Sequence, residues 1–208
     1  MQVASALLEI EAVGFSAQAP VTFKSGIVSP VYVDSRRLPY HPVQWHLVIE
    51  ALRALAETLA FDVIAGVAVG GVPHSSALAY VMQKPSIFVR QDAKEHGKKK
   101  LVEGGEVVGR RVLLVEDVVT TGDSSLQAVA SLREADAVIE DVLAIVSYNF
   151  VEEREGFAAA GVTLQTLTDF AGITQAALEM GRFSQVELEI INDWCNDPHG
   201  WAARHGFA

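Results

Sequence analysis

The sequence predicts an α/β fold in which a mostly parallel central sheet is flanked by helices, with a small N-terminal cap. Three observations predict it. Continuous apolar runs, such as residues 63–69 and 112–115, suit strands covered on both faces. Those runs alternate with segments of helical periodicity, the mark of βαβ units. Three segments of unusual chemistry, residues 70–73, 91–105 and 116–125, each follow an expected strand, at the carboxyl ends where such sheets bind ligands.

Taken in order, residues 4–13 have the apolar spacing of an amphipathic helix that ends at Gly14. Residues 21–24 and 31–34 alternate like two short strands around the turn Ser25-Gly26. Residues 42–59 repeat at helical spacing, and Pro42 is tolerated in a first turn. A strand over 63–69 meets the turn Gly70-Gly71-Val72-Pro73, and a helix runs on to about Met82. Residues 86–90 are a strand. Residues 92–105 are polar and lysine-rich, so they are expected as a long loop. Strands at 111–116, 138–148 and 162–167 alternate with helices at 124–134 and 151–160, and helices at 173–180 and 184–196 close the chain. The first sixty residues stand outside the alternation. About 1–40 of them are expected to cap the binding edge of what is otherwise one domain spanning 1–208.

Composition narrows the function. The chain has 208 residues, half of them hydrophobic, enough to bury one sizeable core. Sixteen basic against 26 acidic residues leave a net charge of −10. Such a surface repels nucleic acid and anionic membranes on average, so neither is an expected partner. One cysteine, Cys195, allows no internal disulfide, which suits a reducing compartment; it reads as a small apolar residue beside Trp194. Glu9 and Glu11 fall where a signal peptide would be apolar, so a cytoplasmic location is expected.

The segment from Val112 to Ser125 carries the most chemistry. Four apolar residues lead to Glu116-Asp117, then to Val118-Val119-Thr120-Thr121-Gly122-Asp123-Ser124-Ser125. Backbone N–H groups at a helix start, joined by hydroxyls, form an anion site. Gly122 can take the positive φ that wraps a backbone around a phosphate. Two carboxylates can accept hydrogen bonds from a vicinal diol. An ordinary strand-turn-helix with Ser124 as N-cap explains the serine and the glycine, but not two adjacent acids after an apolar strand. The spacing differs from a nucleotide P-loop.

This stretch resembles the 5-phosphoribosyl-1-pyrophosphate (PRPP) motif of type I phosphoribosyltransferases. The resemblance implies that Glu116 and Asp117 meet the ribose hydroxyls, and that Val118, Val119, Thr120, Thr121, Gly122, Asp123 and Ser124 hold the 5′-phosphate. A second segment, Val89 to Gly104, resembles the mobile catalytic loop of the orotate phosphoribosyltransferase family. It implies that Arg90, Lys94 and His96 neutralise a departing pyrophosphate, with Lys94 and Asp117 as the catalytic pair. Gln91 stands where many members carry lysine. Lys98, Lys99 and Lys100 read as a solvated charge run. In that family the loop reaches a neighbouring subunit, which implies a homodimer. A third segment, Thr22 to Asp34, resembles the family's orotate-binding stretch. There Lys24 matches a lysine that contacts both ligands, and Tyr32 and Val33 fall on positions that line the base, although Val33 is not aromatic. Thr120 matches a position that touches the orotate carboxylate. The turn Gly70 to Pro73 resembles a pyrophosphate loop and reads equally well as a tight strand-to-helix turn; His74 reads as structural.

The resemblance spans nearly the whole chain. It implies transfer of phosphoribosyl from PRPP to orotate, with Mg2+ carried mainly by PRPP rather than by protein ligands. Two other readings are a phosphoribosyltransferase for another base, and a PRPP-sensing regulator on the same fold. The net charge of −10 and the lack of a spare DNA-binding segment count against the regulator.

Overall fold

The computed structural model describes residues 2–91 and 101–207. Lys94 and His96 therefore lie outside the described residues. The elements, in chain order, are α1 (Gln2–Glu9), β1 (Val13–Phe15), β2 (Val21–Thr22), β3 (Val28–Ser29), β4 (Val31–Val33), a 3-10 helix (Ser35–Tyr40), α2 (Pro42–Ala56), β5 (Val63–Val67), α3 (Gly71–Met82), β6 (Ser86–Val89), β7 (Val102–Glu103), β8 (Val112–Val119), α4 (Asp123–Glu134), β9 (Asp141–Ser147), α5 (Val151–Ala160), β10 (Thr163–Asp169), α6 (Phe170–Glu179), α7 (Gln185–Asn196) and α8 (Trp201–Arg204).

Six strands form the central sheet in the order β10-β9-β8-β5-β6-β7. Every neighbouring pair is parallel except β6 with β7 at one edge. The apolar runs sit in the middle because both faces are covered. Along β8, Leu113 and Val115 enter one core with Leu7, Leu52, Leu78 and Ile173, from α1, α2, α3 and α6. Val112 and Leu114 enter the other with Val129, Leu132 and Phe157, from α4 and α5. The two-residue period of a strand thus supplies both faces from one run.

A third cluster joins the first and last parts of the chain. Ile27 and Val31 pack with Tyr148, Phe150, Phe170, Trp194 and Trp201. Trp194 donates its Nε1–H to the carbonyl of Val28 at 2.9 Å. The α1 and α2 helices belong to the main core, whereas β1 to β4 form two separate antiparallel ribbons.

Several expected boundaries shift. The first helix stops at Glu9, and Val13–Phe15 pairs antiparallel with Val31–Val33. Val21–Thr22 pairs with Val28–Ser29 across the turn, so the two expected strands are not partners of each other. Val102–Glu103, expected as loop, adds to the sheet beside β6. The β8 strand runs three residues beyond Glu116, because parallel pairing with β9 continues to Val119 opposite Ser147. The N-cap of α4 is Gly122, in the left-handed region at φ 88°, rather than Ser124. Cys195 is exposed on α7. No helix among the described residues is long and apolar enough to cross a membrane.

Candidate active site

The site lies at the carboxyl ends of β5 and β8. Because β8 continues past them, Glu116 and Asp117 are neighbours within a strand, and alternation sends them to opposite sides. Glu116 turns toward α4. It is 5% exposed, and its carboxylate accepts from the Asp117 amide at 3.0 Å and from the Ser125 hydroxyl at 3.3 Å. Burial pushes its pKa well above the usual carboxylate range, and the neighbouring Asp117 charge adds to the rise. Asp117 turns toward the 3-10 helix, where the fully buried Ser35 donates to its carboxylate at 2.5 Å.

The glycines of the β5–α3 turn are accounted for by this packing. A Cβ on Gly70 would lie 2.3 Å from the Asp117 carboxylate, and one on Gly71 would lie 2.5 Å from the carbonyl of Val115. Replacing either would drive a methyl into β8. The reading of this turn as a tight strand-to-helix junction is therefore sufficient for both residues.

Just after it, His74 is fully buried and accepts at Nδ1 from the Trp45 indole N–H at 3.0 Å. Burial lowers its pKa from 6.5 to about 4. A histidine with a depressed folded-state pKa contributes stability that is complete above the unfolded value. That stability is lost as pH falls toward the folded value. The protein is expected to lose on the order of 3 kcal/mol between about pH 6.5 and pH 4 through this group. Urea unfolding across that range checks this: His74→Asn, whose carbonyl can still accept from Trp45, should flatten the slope, and an unchanged slope would assign the acid sensitivity elsewhere.

A cavity of about 210 Å3 brings the expected phosphate-binding residues together. Its walls include Glu116, the run from Val118 through Ser125, Gln127 of α4, and Lys24 with Ser25 from the β2–β3 turn. Gly122, at φ 88°, turns the backbone from β8 into α4, and a Cβ there would meet the Phe157 ring at 3.0 Å. The first amides of α4 and the hydroxyls of Thr120, Thr121 and Ser124 give this cavity the makings of an anion site. Thr121 donates its hydroxyl to Asp123 at 3.0 Å.

The other expected residues lie around this cavity. Lys24 donates to the side-chain oxygen of Gln91 at 2.6 Å. Arg90, at the end of β6, pairs with Glu103 of β7 at 3.3 Å. The Tyr32 ring lies over Gly14, where a Cβ would come within 2.2 Å of it, and its other side is open at 40% exposure. Val33 packs between the main core and the aromatic cluster around Trp194. Two residues of this site did not stand out in the sequence. Ser35 and Gln127 reach it only through folding, and a lone serine or glutamine carries no local signal.

A larger cavity, about 740 Å3, opens where α5, α6 and α7 meet. Its polar groups already hold one another: Arg154 donates to Asn149, His199 pairs with Glu152, and Asp169 accepts from the Gly172 amide. It contains no backbone turn comparable to 120–123, so volume alone does not make it the better candidate.

Residues 43–155 match the phosphoribosyl transferase domain family. The orotate phosphoribosyltransferase of Coxiella burnetii is 36% identical over 202 residues, covering 96% of this chain and 97% of that protein. Among solved structures, the orotate phosphoribosyltransferase of Aeropyrum pernix aligns with a TM-score of 0.75 at 28% identity, over 88% of this chain and 99% of that one. That of Mycobacterium tuberculosis in complex with PRPP aligns at 0.63 and 28% identity, over 83% of this chain and 98% of that one.

Proposed function

We propose, for a chain that belongs to the orotate phosphoribosyltransferase family, that it joins orotate to C1 of PRPP and releases pyrophosphate and orotidine 5′-monophosphate. The observation that carries the reading is the cavity in which a lysine from the N-terminal ribbon meets the Thr-Thr-Gly turn after two carboxylates.

The residues then divide the work. The amides and hydroxyls from Val118 to Ser124 hold the 5′-phosphate. Glu116 and Asp117 accept from the ribose hydroxyls. Lys24 and Thr120 meet the acidic groups of orotate, beside the open face of Tyr32 and the backbone of Val33. Arg90, Lys94 and His96 gather charge from the departing pyrophosphate. The protein contributes positioning and charges placed where the transition state needs them.

Among the described residues no group of three or more histidine, cysteine, aspartate or glutamate side chains could hold a metal ion, so magnesium would depend mainly on the hard oxygens of PRPP itself. It would be carried on pyrophosphate and ribose oxygens, near Glu116 and Asp117, and would screen the charge of PRPP. The same reading makes the enzyme a cytoplasmic homodimer whose loop is shared between subunits.

Orotate absorbance, followed with purified protein, PRPP and magnesium, tests the reaction. Adenine, hypoxanthine and uracil serve as parallel acceptors. Orotate should disappear only when PRPP is present, and Lys94→Ala should abolish its loss. Turnover with a purine but not orotate would overturn the substrate. PRPP binding without turnover of any acceptor would overturn catalysis in favour of a sensor.

A further inference from the structure

The β6 strand ends at Val89, and the next two residues are held in place. The Arg90 amide donates to the carbonyl of Leu101 at 2.9 Å. The Gln91 carbonyl accepts a long hydrogen bond, 3.4 Å, from the Gln127 side chain on α4. Its own side-chain oxygen accepts from the Lys24 ammonium at 2.6 Å. Both partners, Lys24 and Gln127, line the cavity that holds the Thr-Thr-Gly turn. Gln91 therefore ties the end of β6 to two walls of that cavity, through contacts 67 and 36 residues apart in the chain.

We infer that Gln91 is a positioning residue that aims Lys24 at the anionic ligand. The residue type matters. An ammonium has three N–H donors. The amide oxygen of Gln91 uses one, leaving two N–H groups and the full charge for a ligand. A carboxylate at this place would cancel that charge. A second ammonium within hydrogen-bonding reach would repel it. Glutamine is thus the side chain that orients Lys24 without discharging it. A flexible lysine loses considerable rotamer freedom on binding, and a lysine already held in place loses less of it when ligand arrives.

The inference rests on the reading that Lys24 contacts substrate, and the test separates the two. Steady-state kinetics of the full chain would compare Gln91→Met, which keeps the shape and removes the acceptor, with Lys24→Met and the double variant. Lys24→Met should raise the KM of the substrate it holds. Gln91→Met should raise the same KM about three- to ten-fold, the worth of one ordinary hydrogen bond at an exposed place, with a smaller change in kcat. In the Lys24→Met background the Gln91 substitution should add nothing. Gln91→Glu should raise that KM too, and added salt should shrink its effect. Unchanged KM values in Gln91→Met, or effects that multiply fully in the double variant, would overturn the inference while leaving the site intact. Unchanged KM values in Lys24→Met would overturn the site reading itself.

Discussion

Asp117→Asn is expected to lower kcat/KM by about two to three orders of magnitude, because in the proposed reaction this carboxylate accepts a charge-assisted hydrogen bond from the ribose where positive charge develops. The substitution keeps shape and contacts. Ser35 can still donate to the remaining oxygen, and the new amide fits the space beside Gly70. Stability should therefore change little, and thermal melts alongside kinetics separate the two effects. Ser35→Ala offers a graded companion. It leaves the charge but frees the carboxylate, so a loss of about ten-fold is expected from one hydrogen bond of this kind. If Asp117→Asn stays within about three-fold of the parent, Asp117 does not meet the reacting sugar, since even one lost charged hydrogen bond exceeds that.

Glu116→Gln should make the unliganded protein more stable and a poorer enzyme. The carboxylate is buried, its pKa is raised above 4.5 by burial first and by Asp117 second, and its partners are an amide and a hydroxyl rather than a cation. Raised folded-state pKa means that the proton is bound more tightly in the folded protein. The associated stability is complete below the unfolded pKa and is lost as pH rises through the folded one. Between the unfolded pKa and the raised folded one the wild-type protein therefore loses stability progressively as pH rises. Glutamine accepts from the Asp117 amide and donates to Ser125 without the buried charge, which should recover about 1–3 kcal/mol. Denaturant unfolding at about pH 5 and pH 8 checks this: the variant should gain mainly at the higher pH. In the proposed reaction the carboxyl of Glu116 meets a ribose hydroxyl, so PRPP affinity should fall about ten-fold when it is replaced. Loss of stability at pH 8 would mean that the charge is compensated in a way its partners do not account for.

The two stabilities, at Glu116 and at His74, run in opposite directions with pH. Acid removes the contribution of the buried neutral histidine, and alkali removes that of the buried protonated carboxylate. Both groups flank Asp117 along the chain or in space, so the pH range in which the unliganded site is most stable lies between them.

Much of the fold was legible along the chain. The apolar runs at 63–69 and 112–115 form the central strands Val63–Val67 and Val112–Val119, and the helical spacings at 42–59, 124–134 and 151–160 form the helices Pro42–Ala56, Asp123–Glu134 and Val151–Ala160. These signals are local, because a face buried by packing shows its period in the residues themselves. The misread segments are those in which the partner decides. Two residues, Val102 and Glu103, become a strand only because β6 offers an edge. Residues 21–22 and 31–33 have equal claims to each other by alternation, yet one pairs with 28–29 and the other with 13–15. Asp117 disfavours strand by composition, and the ladder with β9 carries the strand past Glu116 to Val119 regardless.

By itself the sequence determined the α/β class and the Thr-Thr-Gly turn after paired acids, whereas the role of Lys24 was implied only by resemblance to a family stretch. The first two are written in neighbouring residues, and local chemistry suffices to read them. Only the tertiary structure decided that the two acids leave β8 on opposite sides, that Ser35 holds Asp117 from 82 residues away, and that Gln91 holds Lys24 from 67 away. A hydrogen bond between side chains so distant leaves no periodicity or spacing in the chain. It exists because hydrophobic packing has already brought the elements together, and that packing is specified by the whole core rather than by any segment of it.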